Sequence, residues 1–155
     1  MDEHEQLITD LRDRLQDSEF YRWAGVEVTD ASAGVVEIAF EAGPQHLNLQ
    51  GLVRGGILAT LADTAMGLAV RTVLEPGRRH VTVQLGIEFL SPGRPGTITA
   101  RGSTPPEIRT MCSLARATMA SAISRCWATL SGWTTEGRSI VRRVRQGRRA
   151  AITES

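Results

Sequence analysis

The stretch Gly55-Gly56-Ile57-Leu58-Ala59-Thr60-Leu61-Ala62-Asp63-Thr64-Ala65-Met66-Gly67-Leu68-Ala69-Val70-Arg71-Thr72-Val73 decides the fold. Drawn as a helix, it is apolar on nearly all sides. Asp63 is its only acid, and Glu75-Pro76-Gly77 stops it. In a water-soluble domain such a helix has to be buried. Downstream, residues 81–90 alternate, with Val81, Val83, Leu85, Ile87 and Phe89 on one face. Residues 97–103, 110–119 and 125–133 read as further strands. Upstream, residues 26–40 read as a hairpin that turns through Asp30-Ala31-Ser32-Ala33-Gly34, or as one long bent strand. Residues 2–21 carry Leu7, Ile8, Leu11, Leu15 and Phe20 at helical intervals among acids, which makes an amphipathic helix. One long helix beside antiparallel strands is an α+β fold, and the sheet must wrap the helix to cover it. The expected organisation is an N-terminal helix over 1–22, one domain over 23–135 and an arginine-rich tail over 136–155.

The bulk numbers agree with a single domain. The chain has 155 residues, 41% of them hydrophobic, and a net charge of only +1. That is enough for one real core and too little for two. Lysine is absent, so all 18 basic residues are arginine. Cys112 and Cys126 lie in strand-like segments without a C-x-x-C spacing, and the bland reading is two small core residues. His4, His46 and His80 are too scattered for a metal cluster, so neither metal nor cofactor is expected. No signal-like start or membrane-length apolar run occurs, so a cytoplasmic protein is expected. Residues 138–149 hold six arginines and no acid. A solvated tail is the first reading, a phosphate contact the second. Without interleaved aromatics and in a nearly neutral chain, a nucleic-acid partner is not expected.

The chemistry is concentrated in His46-Leu47-Asn48-Leu49-Gln50-Gly51-Leu52-Val53-Arg54-Gly55-Gly56 and the helix that follows through Asp63. This run resembles the PaaI-like branch of the hotdog-fold thioesterases, whose pattern is H-x-N-x-x-G-x-x-H-G-G-x-x-x-x-L-x-D. The resemblance continues into Thr82-Val83-Gln84-Leu85-Gly86-Ile87-Glu88-Phe89-Leu90-Ser91-Pro92 and covers roughly residues 35–102. It implies a hotdog fold, an antiparallel sheet wrapped around one central helix. It also implies hydrolysis of an acyl-CoA thioester to free acid and CoA, with aryl or medium-chain acyl groups as candidates. A homodimer with shared active sites, often paired again into a tetramer, is implied as well. The alternative is a non-catalytic hotdog module that binds acyl-CoA or acyl-carrier protein, because fold alone does not settle function.

The residues can also be read by their own chemistry. Gly55 and Gly56 at a helix start leave N–H groups unpaired and remove side chains that would block close approach. Such an end suits the oxyanion of thioester hydrolysis, where one good donor is worth roughly 3–4 kcal/mol of barrier. The plainer alternative is a tight turn. A carboxylate in the middle of an apolar helix is costly unless it is paired or used, which singles out Asp63 as base or nucleophile. Asp63 follows Gly55 by eight residues, about 12 Å of helical rise. One carbonyl cannot touch both, so a shared site needs a second, antiparallel copy of the helix across a two-fold axis.

The remaining roles come from the motif. Asn48 fixes the loop or orients water and carbonyl, and Thr82 is expected near the carboxylate across the interface. Arg54, His46 and Thr64 are the candidate substrate contacts, and for His46 a structural role is the preferred reading. Arg54 stands where the family usually has histidine. The backbone donors survive that change, while the side chain becomes a permanent cation.

Overall fold

The computed structural model describes residues 2–104, 114–120 and 125–134, the last two stretches as backbone. The arginine-rich tail and Cys112 therefore lie outside the described residues. Among the described residues three α-helices and six strands follow in the order α1 (Glu3–Gln16), α2 (Glu19–Ala24), β1 (Glu27–Ser32), β2 (Val35–Ala42), α3 (Gly55–Arg71), β3 (His80–Phe89), β4 (Gly96–Ser103), β5 (Leu114–Ala120) and β6 (Arg125–Thr134), with a short 3-10 turn, Pro44–His46, between β2 and α3. All strand pairs are antiparallel, and the sheet order is β1-β2-β4-β5-β6-β3. This is the expected α+β hotdog architecture, with α3 packed against β2 to β6.

The N-terminal segment is two helices where the spacing predicts one. A capping box starts α1: Glu5 N–H donates to Asp2 Oδ1 at 2.7 Å and the Asp2 N–H to Glu5 Oε2 at 3.3 Å. Leu11 and Leu15 are buried, and Arg12 Nε donates to Val28 O at 2.9 Å, which ties the helix to β1. Ser18 then adopts an extended backbone (φ −101°, ψ 122°), so α2 begins afresh. The first hairpin also differs from expectation. Strand β1 continues through Ser32, leaving only Ala33 and Gly34 between the strands, with a register shift between Val28 and Asp30. Gly34 takes φ +79°, which glycine alone adopts without strain.

Leu58, Leu61, Ala62, Ala65, Met66, Ala69 and Val70 of α3 are buried against Val36, Ile38 and Phe40 of β2 and Ile98 and Ala100 of β4. The approach is close enough that a Cβ on Gly102 of β4 would collide with the Ala65 carbonyl. The helix ends where Thr72 Oγ1 donates to Ala69 O and accepts from Gly34 N–H, both at 2.7 Å. Burial on every side is not what α3 shows. Gly56, Thr60, Asp63, Gly67 and Arg71, three or four residues apart, form one incompletely buried stripe. That stripe faces β3.

The alternation read from residues 81–90 is interrupted. Thr82 pairs with Gly132 and Gln84 with Ser131, so Val83 is a bulge. The extra residue reverses the side-chain parity upstream of it. His80 and Thr82 consequently share the helix-facing side with Leu85, Ile87 and Phe89, whereas Val81 and Val83 are 61% and 55% exposed. Among the described residues no helix is long and apolar enough to cross a membrane.

Candidate active site

The carboxylate Asp63 is placed by α3, and the bulge in β3 brings its partner. Thr82 Oγ1 donates to Asp63 Oδ1 at 2.7 Å. This contact is made within one chain, which corrects the expectation that Thr82 approaches across an interface. The bond orients the carboxyl group. Among the described residues nothing is bonded to Oδ2.

One turn further on, Gly67 leaves room for His80, whose Nε2 lies 3.1 Å from where a Cβ on Gly67 would be. Burial, joined by the Arg71 and Arg14 guanidiniums, holds His80 below histidine's ordinary 6.5 against the opposing pull of Asp63. The imidazole is therefore neutral at pH 7. Asp63, Thr82 and His80 line a cavity of about 480 Å³, which Thr64 and Tyr21 also border. Thr64 Oγ1 donates to Thr60 O at 2.8 Å and lies 3.2 Å from the Tyr21 hydroxyl, which anchors α2 to this side of α3.

At the other end of the stripe, Arg54, Gly55 and Gly56 are exposed. Arg54 is the N-cap residue of α3, and its carbonyl accepts from Ile57 and Leu58 N–H. Among the described residues the Gly55 and Gly56 N–H groups have no acceptor. A Cβ on Gly55 would sit 3.2 Å from the Phe89 ring, and one on Gly56 would meet nothing within 4 Å. Arg54 Nε donates to the Leu47 carbonyl at 3.0 Å, so the side chain runs back along the preceding loop.

Two candidates serve that loop. Asn48 Oδ1 accepts from Gln50 N–H at 2.9 Å and Leu52 N–H at 3.1 Å, closing a turn that needs Gly51 at φ +74°. His46 is 3% exposed, accepts from Gly43 N–H through Nδ1 at 3.0 Å, and packs edge-on against Phe40. His46 thus holds the loop in place and is not among the residues of the Asp63 cavity. The structure brings Asp63, Thr82 and Thr64 together. Gly55, Gly56, Arg54 and Asn48 form a separate group at the helix start. Reading by sequence missed His80, Arg14, Arg71, Arg78 and Arg79, all of which border the cavity. The run Arg78-Arg79-His80 ahead of Thr82 was the available signal. Among the described residues no group of three histidine, cysteine or acidic side chains could hold a metal ion.

Comparisons with known proteins bear on this arrangement. The profile of the thioesterase superfamily matches residues 50–104, a span that contains the helix start, Asp63 and Thr82. A Halobacterium salinarum protein named as an inferred esterase is 38% identical over 92 residues, 54% of this chain and 59% of that protein. A Saccharolobus solfataricus protein of the same description is 27% identical over 92 residues, 59% of this chain and 61% of that protein. The chain thus spans about three-fifths of the length of these curated relatives. Among solved structures, the E. coli PaaI protein from the phenylacetic acid degradation operon superposes with a TM-score of 0.75 at 19% identity, covering 86% of this chain and 96% of that one. A thioesterase family protein from Silicibacter pomeroyi gives 0.76 at 19% identity, covering 84% and 99%. At that identity the superpositions speak to the fold. The superpositions show a hotdog fold, and the profile match shows that residues 50–104, the helix and strand that frame Asp63, are similar to the thioesterase superfamily.

Proposed function

We propose that the protein is an acyl-CoA thioesterase that acts as a dimer with shared active sites. The observation that carries this reading is the Asp63 carboxylate, held by Thr82 at 2.7 Å on the unburied stripe of an otherwise apolar helix and bordering an open cavity. With Oδ1 occupied by Thr82, Oδ2 faces the reaction. As general base it takes a proton from water while the water oxygen attacks the thioester carbonyl. The tetrahedral oxyanion collapses, the C–S bond breaks, and the proton returns from Asp63 to the CoA thiolate. Direct attack by Asp63, giving a mixed anhydride that water then hydrolyses, uses the same geometry. The oxyanion is received by the unpaired Gly55 and Gly56 N–H groups.

Those donors lie about 12 Å of helical rise from Asp63, so they come from a second copy. Strand β3 supports this pairing. It is ten residues long, lies at the edge of the sheet and exposes Val81, Val83 and Phe89. A long apolar edge is a liability unless another strand covers it. Pairing β3 with its own copy about a two-fold axis sets the two α3 helices antiparallel.

The test is thiol release from a panel of aryl and medium-chain acyl-CoAs by wild type, Asp63→Asn and Arg54→His. Hydrolysis abolished by Asp63→Asn supports the enzyme. Tight acyl-CoA binding without turnover, with turnover restored by Arg54→His, identifies a binding module instead, a reading favoured by the cation at the helix start. A monomer active by sedimentation defeats the shared site.

A further inference from the structure

The cavity beside Asp63 carries a charge that thioester hydrolysis does not use. Arg14 of α1, Arg71 at the end of α3, and Arg78 and Arg79 of the following loop all border it, and among the described residues Asp63 is the only acid that does. Arg78 pairs with Glu75 at 3.8 Å, whereas Arg14, Arg71 and Arg79 have no carboxylate partner among the described residues. Arg71 Nη1 donates to the Arg78 carbonyl at 3.0 Å, which fixes its guanidinium against the loop. Like charges gathered around one cavity from three separate elements repel one another, and an anion relieves that repulsion. The neutral His80 ring lies between Asp63 and these arginines along β3 and α3. Leu15, Leu68 and Tyr21 give the cavity an apolar share of its lining.

We propose that this cavity binds a carboxylate at the far end of the acyl group, so that the preferred substrates are mono-CoA thioesters of short dicarboxylic acids. The inference rests on the thioesterase reading of Asp63 and names its substrate class. The reacting carbonyl sits at Asp63, methylenes lie along Leu68 and Leu15, and the distal carboxylate reaches the guanidiniums, whose planar forks match its two oxygens. Arg71 follows Asp63 by eight residues, about 12 Å of rise, and both border the one cavity. The phosphates of CoA are separated from the thioester by the whole pantetheine arm, which overshoots such a distance when extended.

Binding of non-hydrolysable thioethers tests this without requiring turnover. S-carboxybutyl-CoA and S-pentyl-CoA are titrated calorimetrically into wild type, Arg71→Met and Arg14→Met, and the same pair is repeated on pantetheine without the nucleotide. Arg14 is on a different element from Arg71, so a loop disturbed in one variant does not decide the result. Wild type is expected to bind the carboxyl ligand at least about tenfold more tightly than the pentyl ligand on either carrier, with the preference lost in both variants. Equal binding of the two ligands overturns the proposal. So does a loss that affects both CoA ligands alike and spares the pantetheine pair, which assigns the arginines to the CoA phosphates. A carboxylate preference that persists in both variants overturns it as well. Carboxyl preference in binding with no hydrolysis of either matching thioester leaves this inference standing and removes the enzymatic reading.

Discussion

The two ends of the cleft between α3 and β3 are built from opposite materials. At the Gly55 end, backbone N–H groups without an acceptor among the described residues face outward beside the half-exposed ring of Phe89. At the Asp63–Arg71 end, side chains carry everything: a carboxylate on a threonine, a neutral histidine and a set of arginines. The first end is formed by helix geometry and the absence of side chains, so it is insensitive to the identity of Arg54. The second depends on side chains from α1, α3, the loop and β3 meeting, which makes it the more easily broken. A thioester needs both kinds of group, a donor for its oxyanion and a base for its water, and one helix holds them too far apart to serve one carbonyl.

Substitutions at each end separate these contributions. The largest effect is expected from Asp63→Asn, which keeps shape and removes the proposed base: kcat for the proposed acyl-CoA hydrolysis falls about 10³-fold with KM little changed, read by thiol release. Gly55→Pro is next. Gly55 is the first helical position and Arg54 before it is already extended (φ −61°, ψ 133°), so the backbone accepts proline with a small shift of the Phe89 ring while the N–H donor is lost. A drop of about 10²-fold in kcat with unchanged helical circular dichroism is expected; a fully active Gly55→Pro enzyme limits the donor role to Gly56. Thr82→Val keeps the strand and deletes the bond to Asp63, which should cost about tenfold in kcat, or about 1.4 kcal/mol.

The smallest effect concerns His80. Its pKa in the folded protein lies below histidine's ordinary 6.5, so below that pH the unfolded chain binds more protons than the folded one. Stability is therefore lost as pH falls from 7 through the folded-state value. Urea denaturation at pH 7 and at pH 5 should show a smaller loss for His80→Gln than for wild type. An equal loss shows that burial and the arginines together do not lower the pKa of this ring.

Much of the fold was legible in the residues because burial leaves a pattern. The near-continuous apolar run of α3 required a sheet around it, and Asp63 stood out because a carboxylate is costly there. Thr82 was legible as a polar strand residue near that carboxylate, but its route was not, since the contact is made within the chain. His46 illustrates the limit from the other side: a histidine in a motif suggests chemistry, yet its ring is buried against Phe40 and bonded to Gly43. The break at Ser18 was hidden by helical spacing that runs on through Phe20. Local backbone preference at one residue does not appear in a hydrophobic period.

By itself the sequence determined the class of the fold, the central helix, the glycine start and the isolated acid, because each is a matter of local composition and spacing along one element. Only the tertiary structure decided which side of β3 faces that acid. The bulge at Val83 arises from pairing with β6, and a single extra residue turns His80 and Thr82 toward α3 while sending Val81 and Val83 outward. The arginine-lined cavity was decided at the same level: Arg14 is far in the chain from Arg71 and Arg79 and meets them only when α1 packs beside the end of α3 and the loop that follows it. Side-chain parity along a strand has a period of two, so pairing rather than composition settles what the strand presents.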